Sequence, residues 1–213
     1  MKRLLLLSGL LLVAASAGAT TYELDPDHSS VEFKIRHLVG KVRGRFEKFS
    51  GTFDYDAKAP SAASASAAID AASINTNVEA RDKHLRSVDF FDVEKCPELS
   101  FKSTKAELSG GGKGKLSGDL TIHCVTKPVV LDIEVSSEGK DPWGNIRIAV
   151  TATAKLDRKD FGLTWNKALE VGSLLVGDDV EVTLELEGMQ KNAEAPAKKA
   201  EAPAKKTEAP AKK

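Results

Sequence analysis

The chain has 213 residues, 41% apolar and 29% charged, which suits one soluble globular domain and excludes two large ones. Gly and Pro together account for 24 residues, which excludes collagen-like and wholly disordered classes. The net charge is zero, but setting aside the two basic residues of 1–19 and the seven lysines and three glutamates of 191–213 leaves 22 basic and 28 acidic residues. An acidic body of net charge −6 does not resemble a nucleic-acid binder, which needs a basic face to meet phosphates. We therefore expect no nucleic-acid partner.

Residues 1–19 have the layout of an export signal. Lys2 and Arg3 supply a positive start, and residues 4–13 form an apolar stretch that is too short to span a bilayer. Ala17 and Ala19 are the small residues that a signal peptidase reads, so we predict cleavage after Ala19 and a periplasmic protein. The alternative is an uncleaved membrane anchor.

The predicted barrel domain, residues 20–190, alternates apolar and polar side chains in the period-two pattern of half-buried strands. About eight such segments lie near residues 31–35, 42–55, 65–71, 99–103, 116–122, 129–135, 146–154 and 180–186. Turn-forming residues at 109–114 and 141–144 separate some of them. Since no crossover helices intervene, we predict an all-β fold, an eight-stranded antiparallel barrel without exposed edges, with a sandwich as the alternative.

One short helix is predicted after the third strand. Thr76 and Glu79 have the spacing of a capping box, in which each side chain bonds the other's backbone amide. Val78 and Leu85 then fall on one face of a helix that runs to Arg86. A helix of this length could cover one end of the barrel.

Residues 191–213 form a C-terminal tail that repeats the unit Glu-Ala-Pro-Ala-Lys-Lys three times and carries a net charge of +4. Because it has no large apolar side chain to bury and a proline in every repeat, we predict a disordered tail. It is either a solvated spacer or a weak contact with an anionic envelope surface.

Many short motifs in this chain resemble those of YceI-like proteins. They are DHSSVEF (27–33), RHL (36–38), VRGRF (42–46), NTN (75–77), RDKHLRS (81–87), DFFD (89–92), PELSF (97–101), GDLTI (118–122), VTKP (125–128), RKDFGLTWN (158–166) and VGDDV (176–180). The resemblance covers nearly all of residues 21–187. It implies a lipocalin-like barrel that is exported to the periplasm and binds a long apolar ligand, a polyisoprenoid or fatty-acyl lipid, without catalysis.

Small residues on the strand faces either leave space inside the barrel or meet bulky partners. They are Ala65, Ala67, Ala71, Gly118, Ala152 and Ala154. The resemblance favours an unfilled interior, which in an eight-stranded barrel holds one small ligand. Apolar residues on the inward faces and after the helix are the candidate ligand contacts, although each could equally be ordinary core: Phe33, Ile35, Val42, Phe46, Phe90, Phe91, Phe101, Leu120, Ile133, Ile148, Phe161 and Trp165.

A few polar residues are candidates for the mouth of such a site, since apolar pockets place a small number of polar groups to orient the ligand. They are His37, Arg43, Asp82, His84 and Asn166. Arg81 and Asp82 have a competing structural role, pinning the helix to the barrel through charge-assisted hydrogen bonds. No histidine pair has metal-ligand spacing and no nucleophile motif is present, so neither a metal, a cofactor nor an enzymatic activity is expected.

The two cysteines, Cys96 and Cys124, suit an oxidising compartment. They lie equally far from residue 110 at the centre of a predicted hairpin, so they would face each other across its ladder and form a disulfide. A structural bridge is expected, and the alternative is a redox or stress protein acting on quinone-like isoprenoids through this pair. A further alternative is an envelope adaptor with a filled barrel. Homodimerisation is compatible with a barrel but is not tested by the sequence.

Overall fold

The computed structural model of the protein describes residues 18–168 and 174–191, so nearly all of the predicted signal peptide and tail lie outside the described residues. Within these ranges the chain forms twelve strands and one α-helix, which occur in the following order. They are β1 (Thr20–Leu24), β2 (Ser30–His37), β3 (Gly40–Phe46), β4 (Phe49–Tyr55), β5 (Ser64–Asp70), β6 (Ile74–Asn75), α1 (Glu79–Arg86), β7 (Glu98–Leu108), β8 (Lys113–Ile122), β9 (Val125–Val135), β10 (Gly139–Lys140), β11 (Ile146–Asp157) and β12 (Val176–Gln190).

Eight of these strands close into an antiparallel barrel, which confirms the predicted fold. The ring runs β1-β4-β5-β7-β8-β9-β11-β12 and closes where β12 pairs with β1 on one side and with β11 on the other. The ladder between β11 and β12 is long, extending from Asp157↔Asp179 to Arg147↔Met189. Closure leaves no unpaired edge within the ring, which is the physical advantage of a barrel over an open sheet.

The barrel wall extends beyond the eight-stranded ring at one end, because β12 is long enough to pair with β1 and then with β2. Gly188–Gln190 pairs with β1, whereas the segment between Val176 and Glu185 pairs with β2. Strand β2 then carries β3 and the short β6, which extend the wall at one end. We call this the upper end, and the end with the turn between β10 and β11 the lower end.

The predicted strands differ from the observed ones in two respects. The single segment expected from residue 42 to 55 is divided at Glu47 and Lys48 into β3 and β4, which pair with different neighbours. Strands β1, β6 and β10 were not predicted, because β6 and β10 have only two residues each and β1 offers only two large apolar side chains, Tyr22 and Leu24.

Inward-facing glycines make room for aromatic rings. A side chain at Gly44 would overlap the ring of Phe33, and one at Gly118 would overlap the ring of Phe101. The expectation that Gly118 leaves space unfilled is therefore wrong, because a neighbouring aromatic ring occupies that space. Ala71 is likewise fully buried in a packed cluster, away from any open space.

The helix begins later than expected and lacks the predicted capping box. Val78 is the N-cap of α1 and makes no side-chain capping bond, while Asn77 adopts a left-handed conformation with φ of 63°. The Thr76 hydroxyl is instead buried and donates to the Asp82 carboxylate. The capping-box prediction failed because the buried Asp82 carboxylate takes the place of the helix amide as the partner of Thr76.

A cluster of ion pairs around Arg147 joins several segments at the lower end of the barrel. Arg147 donates from Nη1 to Asp25 Oδ2 at 2.6 Å and to Glu187 Oε1 at 2.5 Å, and from Nε to Asp141 Oδ2 at 3.1 Å. Hydrogen bonding from Arg147, then from His28, lowers the pKa of Asp25 to about 2. Asp25, His28 and Glu187 lie within metal-ligand distance of one another, and Arg147 forms ion pairs with both acids.

Candidate functional site

The barrel encloses a cavity of about 660 Å³, within the range typical of small-molecule pockets. Its wall is built mainly from the inward residues of the strands and is strongly apolar. Large side chains line it together with small ones, and Ala65, Ala67, Ala152 and Ala154 all border the open space. The filled-barrel alternative is thus not what the structure contains.

The lower end of the barrel contains a packed core around Tyr22. Tyr22 is fully buried, its ring stacks on Phe53 with centroids 5.2 Å apart, and its hydroxyl donates to Glu138. Burial, reinforced by the hydrogen bond to Glu138, raises the pKa of Tyr22. The cavity borders lower-end residues such as Leu108 and Val135 and also reaches α1 and Trp165 at the upper end, and we call this upper part its mouth.

The upper end is framed by α1, the segment that follows it, and residues 158–168 after β11. His84 on α1 lies edge-on to Trp165, with ring centroids 4.9 Å apart, and to Phe90 at 5.1 Å. Phe90 and Trp165 are 5.2 Å apart, so the three rings form one aromatic cluster beside the cavity. Asp89 bonds His84 Nε2 at 2.9 Å and thereby orients its imidazole ring.

A second aromatic row runs down the wall from the same end. Phe91 meets Phe46 edge-on at 5.8 Å, and Phe46 lies 6.0 Å from Phe33. These contacts tie the segment after α1 to strands β2 and β3. The mouth is therefore bounded by rings whose positions depend on one another.

Arg81 and Asp82 hold α1 in place, as the structural alternative proposed. Asp82 accepts hydrogen bonds from the Thr76 amide, at 2.9 Å, and from its hydroxyl. Arg81 donates from Nε to Thr76 Oγ1 at 2.7 Å and from Nη2 to Thr76 O at 2.8 Å. Arg86 secures the other end of α1 by donating to the carbonyls of Ala72 and Ile74.

Arg158 is a site residue that the sequence reasoning missed. Its side chain is 3% exposed and lines the cavity, and it donates to the carbonyls of Gly177, Leu163 and Trp165. Burial lowers the pKa of Arg158, while the nearby Asp178 opposes that change. Arg158 thus fixes the segment that carries Trp165. The sequence feature that could have identified Arg158 is its position directly after β11.

The structure places most of the predicted interior residues along the cavity. The residues that border it are Phe33, Ile35, Val42, Phe46, Phe90, Phe91, Phe101, Leu120, Ile133, Phe161 and Trp165. Two of the predicted polar residues, His37 and His84, border it as well. Contact of any of these residues with a ligand stays a prediction.

Four predicted residues lie away from the cavity. Ile148 is buried in the core of the lower end, and Asp82 points at Thr76 beneath the helix. Arg43 alternates outward from its neighbour Val42 on β3, and Asn166 is engaged with the backbone of Val176. The alternation of β3 was enough to predict that Arg43 faces away from the cavity. The partners of Asp82 and Asn166 could not be predicted, because they depend on the tertiary structure.

Other lining residues were not predicted, although the same alternation marks many of them. They include Leu24, Val31, Phe53, Tyr55, Leu99, Leu108, Leu116, Leu131, Val135, Val150, Leu156, Leu163, Leu175, Val176, Val180, Val182, Leu184 and Leu186. Each strand of the ring contributes to the wall, so the inward face as a whole, rather than selected residues, forms the site.

Cys96 and Cys124 form a disulfide with their Cα atoms 5.4 Å apart, which confirms that the pair is joined. The expected position within a hairpin ladder is wrong. The ladder pairs Phe101 with Leu120, one residue out of the predicted register, and shifts again between Ser103 and Lys105. Cys96 precedes β7, and Cys124 lies in the two-residue turn between β8 and β9.

Comparison with known proteins assigns the family. The family model described as "YceI-like domain" matches residues 22–188. The chain belongs to the YceI-like family. A UPF0312 protein of Vibrio cholerae serotype O1 is 38% identical over 197 residues, which cover 90% of this chain and all of that protein.

Solved structures of YceI-like proteins share the fold. The Campylobacter jejuni YCEI protein superposes with a TM-score of 0.63 at 33% identity, covering 74% of this chain and 90% of that one. A polyisoprenoid binding domain from Saccharophagus degradans superposes with a TM-score of 0.59 at 20% identity, covering 81% and 99%. Among residues 18–168 and 174–191, no helix is long and apolar enough to cross a membrane.

Proposed function

We propose that this YceI-like protein is exported to the periplasm and holds one long-chain apolar ligand, of the polyisoprenoid or fatty-acyl type, inside its barrel. The ligand is held for transport, storage or stress sensing. The observation that carries the proposal is the apolar cavity of about 660 Å³, whose upper part is lined by an aromatic cluster. The polyisoprenoid binding domain with the same fold supports the choice of ligand class.

The apolar wall explains how such a ligand is retained. Each methylene removed from water contributes about 0.8 kcal/mol, so a chain gains affinity in proportion to its buried length. His37 and His84 are polar groups at the edge of the cavity and can meet a ligand head group there. Since few polar groups reach the interior, the site suits a chain with polarity confined to one end.

Native mass spectrometry of the protein purified from its own host's envelope fraction tests this proposal. We expect a stoichiometric adduct that organic extraction releases and identifies as a long-chain lipid. An empty protein that also takes up no polyprenyl or fatty-acyl compound would overturn the assignment and favour the envelope adaptor.

A matched pair of variants tests whether the ligand occupies the cavity. Ala154 borders the cavity, and Thr153 beside it on β11 is exposed on the outer face. Ala154→Phe fills part of the cavity and should reduce lipid uptake, whereas Thr153→Phe adds the same ring outside and should not. Equal uptake by both variants would contradict binding inside the barrel.

Export is proposed on the signal layout of residues 1–19. In support, β1 begins at Thr20, so cleavage after Ala19 would leave every strand intact. N-terminal sequencing of the protein recovered from a periplasmic extract should start at Thr20. A chain that retains Met1, or that stays in the cytoplasmic fraction, would contradict this proposal.

The alternative of redox chemistry on quinone-like isoprenoids needs an accessible disulfide. Cys96 is only 7% exposed whereas Cys124 is exposed, so the preference for a structural bridge rests on the burial of Cys96 alone. Resistance of the bridge to a thiol reductant in the folded protein is the expected result, and ready reduction would support the alternative. Homodimerisation and contact of the tail with an anionic surface stay predictions.

A further inference from the structure

The hairpin of β2 and β3 has a charge opposite to that of the whole domain. Residues 34–45 contain five cationic side chains and no acidic one, whereas the domain from 20 to 190 has a net charge of −6. The cations lie on the outer face of the hairpin, since the alternate positions Ile35, His37 and Val42 border the cavity. The basic character is therefore concentrated on the outside of one element.

Two pairs of like charges face each other across this hairpin. The register places Lys34 opposite Arg43 and Arg36 opposite Lys41, an arrangement that destabilises a sheet. From the neighbouring β12, Glu181 pairs with Lys41 at 2.6 Å and is the residue beside Lys34. In the described part of the chain, Lys34 and Arg43 form no salt bridge. Glu181 therefore balances one of these four charges.

The groups around Arg36 do not remove this excess. Arg36 donates to the carbonyls of Leu38 and Leu174, and Asp178 from the start of β12 is near enough to feel its charge. Asp178 is itself paired with Lys159 at 2.8 Å and is approached by Arg158. Asp178 is thus shared between Arg36 and other cations.

The tip of the same hairpin is apolar and projects into solvent. Leu38 is 45% exposed and Val39 fully exposed, and the Leu38 amide donates to Leu175 O at 2.9 Å, which fixes the tip beside the segment that precedes β12. Leu174 in that segment is also exposed. Together these three residues make an apolar edge whose neighbours His37 and Leu175 border the cavity.

Exposed apolar side chains also occur beside α1. Val78 at the start of α1 is 47% exposed and borders the cavity, and Val88 just after α1 is 70% exposed. Exposed apolar side chains next to a cationic surface are the combination by which peripheral proteins bind anionic lipid bilayers. The apolar groups enter the interface while the cations meet the phosphates.

We propose that the β2–β3 hairpin docks the mouth of the barrel onto an anionic lipid bilayer. Leu38 and Val39 insert at the interface, and Lys34, Arg36 and Arg43 contact lipid phosphates. This orientation lets a lipid chain pass between the bilayer and the cavity without crossing water. The loading role rests on the proposed function, whereas the docking itself does not depend on any ligand.

Flotation of the mature full-length chain with vesicles tests this proposal. Phosphatidylcholine vesicles are compared with vesicles that also contain phosphatidylglycerol, and we expect binding to require the anionic lipid and to weaken with added salt. Lys34→Gln with Arg43→Gln should lower partitioning about 25-fold, at about fivefold for each cation near the surface. The same double variant should melt no lower than wild type, because it removes a like-charge pair.

Matched controls use the lower end of the barrel. Val39→Ser should lower partitioning about tenfold, and Trp143→Ser, which removes a larger exposed apolar side chain from the β10–β11 turn, should leave it unchanged. Lys58→Gln with Lys140→Gln removes two exposed cations from that same end and should have little effect on partitioning.

Several results would overturn the docking proposal. These are equal binding to vesicles without anionic lipid, equal losses in the two double variants, or wild-type binding by Val39→Ser. Self-association in solution that Val39→Ser abolishes would assign the apolar edge to a second copy of the chain instead. A protein that docks as expected but takes up no lipid would leave docking intact and overturn the proposed function alone.

Discussion

Removal of the Cys96–Cys124 disulfide is expected to lower the free energy of unfolding by a predictable amount. The bridge closes a loop of 28 residues that contains all of β7 and β8. In the chain-entropy model, closing a loop of that length lowers the entropy of the unfolded chain and so adds about 3.5 kcal/mol to the free energy of unfolding. Because neither cysteine belongs to the paired residues of the β7–β8 ladder, Cys96→Ser with Cys124→Ser should fold to the same barrel with this lower stability.

The turn that carries Cys124 allows two contributions to the free energy of unfolding to be separated, that of the disulfide bond and that of the backbone conformation of the turn. His123 and Cys124 both have positive φ, 50° and 59°, a conformation that costs a residue with a Cβ atom about 1 kcal/mol relative to glycine. Cys96→Ser with Cys124→Gly should therefore be about 1 kcal/mol more stable than the double serine variant.

Equilibrium urea unfolding, followed by tryptophan fluorescence, measures both differences. Wild type in the presence of a thiol reductant strong enough to break the bridge should unfold at the same urea concentration as the double serine variant. An unchanged midpoint in the double serine variant would refute the loop-closure reasoning. A glycine variant no more stable than the serine one would refute the left-handed conformation of the turn.

Three further predictions concern stability. Asp25, whose pKa is lowered from 3.8 to about 2 chiefly by Arg147, stabilises the fold above about pH 4 and loses this contribution as the pH falls toward 2. Asp25→Asn should therefore flatten that part of an acid-denaturation curve, and an unchanged curve would contradict the ion-pair assignment. Asp82→Ala leaves the buried Thr76 hydroxyl and amide without their acceptor and should cost about 1–3 kcal/mol in urea unfolding, a loss that would be absent if water replaced the carboxylate. Gly44→Ala forces a methyl group against an aromatic ring and should cost about 1–3 kcal/mol, whereas a neutral effect by calorimetry would show that the ring can move.

Strand content and the inward face were predictable because they depend on a local pattern. Alternation along residues 31–35 correctly placed Phe33 and Ile35 on the cavity side, and the turn signal at 141–144 coincides with an observed turn. The pairing of the two cysteines was also predicted, although the ladder geometry used to predict it was wrong. Resemblance to the YceI-like family supplied the ligand class, which no local pattern contains.

The amino-acid sequence by itself determined the barrel class, the two cysteines that pair and the residues that can face inward. Only the tertiary structure decided which small residues leave space: Phe101 covers Gly118, whereas Ala154 borders the cavity. It also decided that Asp82 binds Thr76 and that Arg158 supports the mouth. The reason is that these outcomes depend on which side chains meet across strands and segments far apart in the chain, and no local periodicity specifies such neighbours.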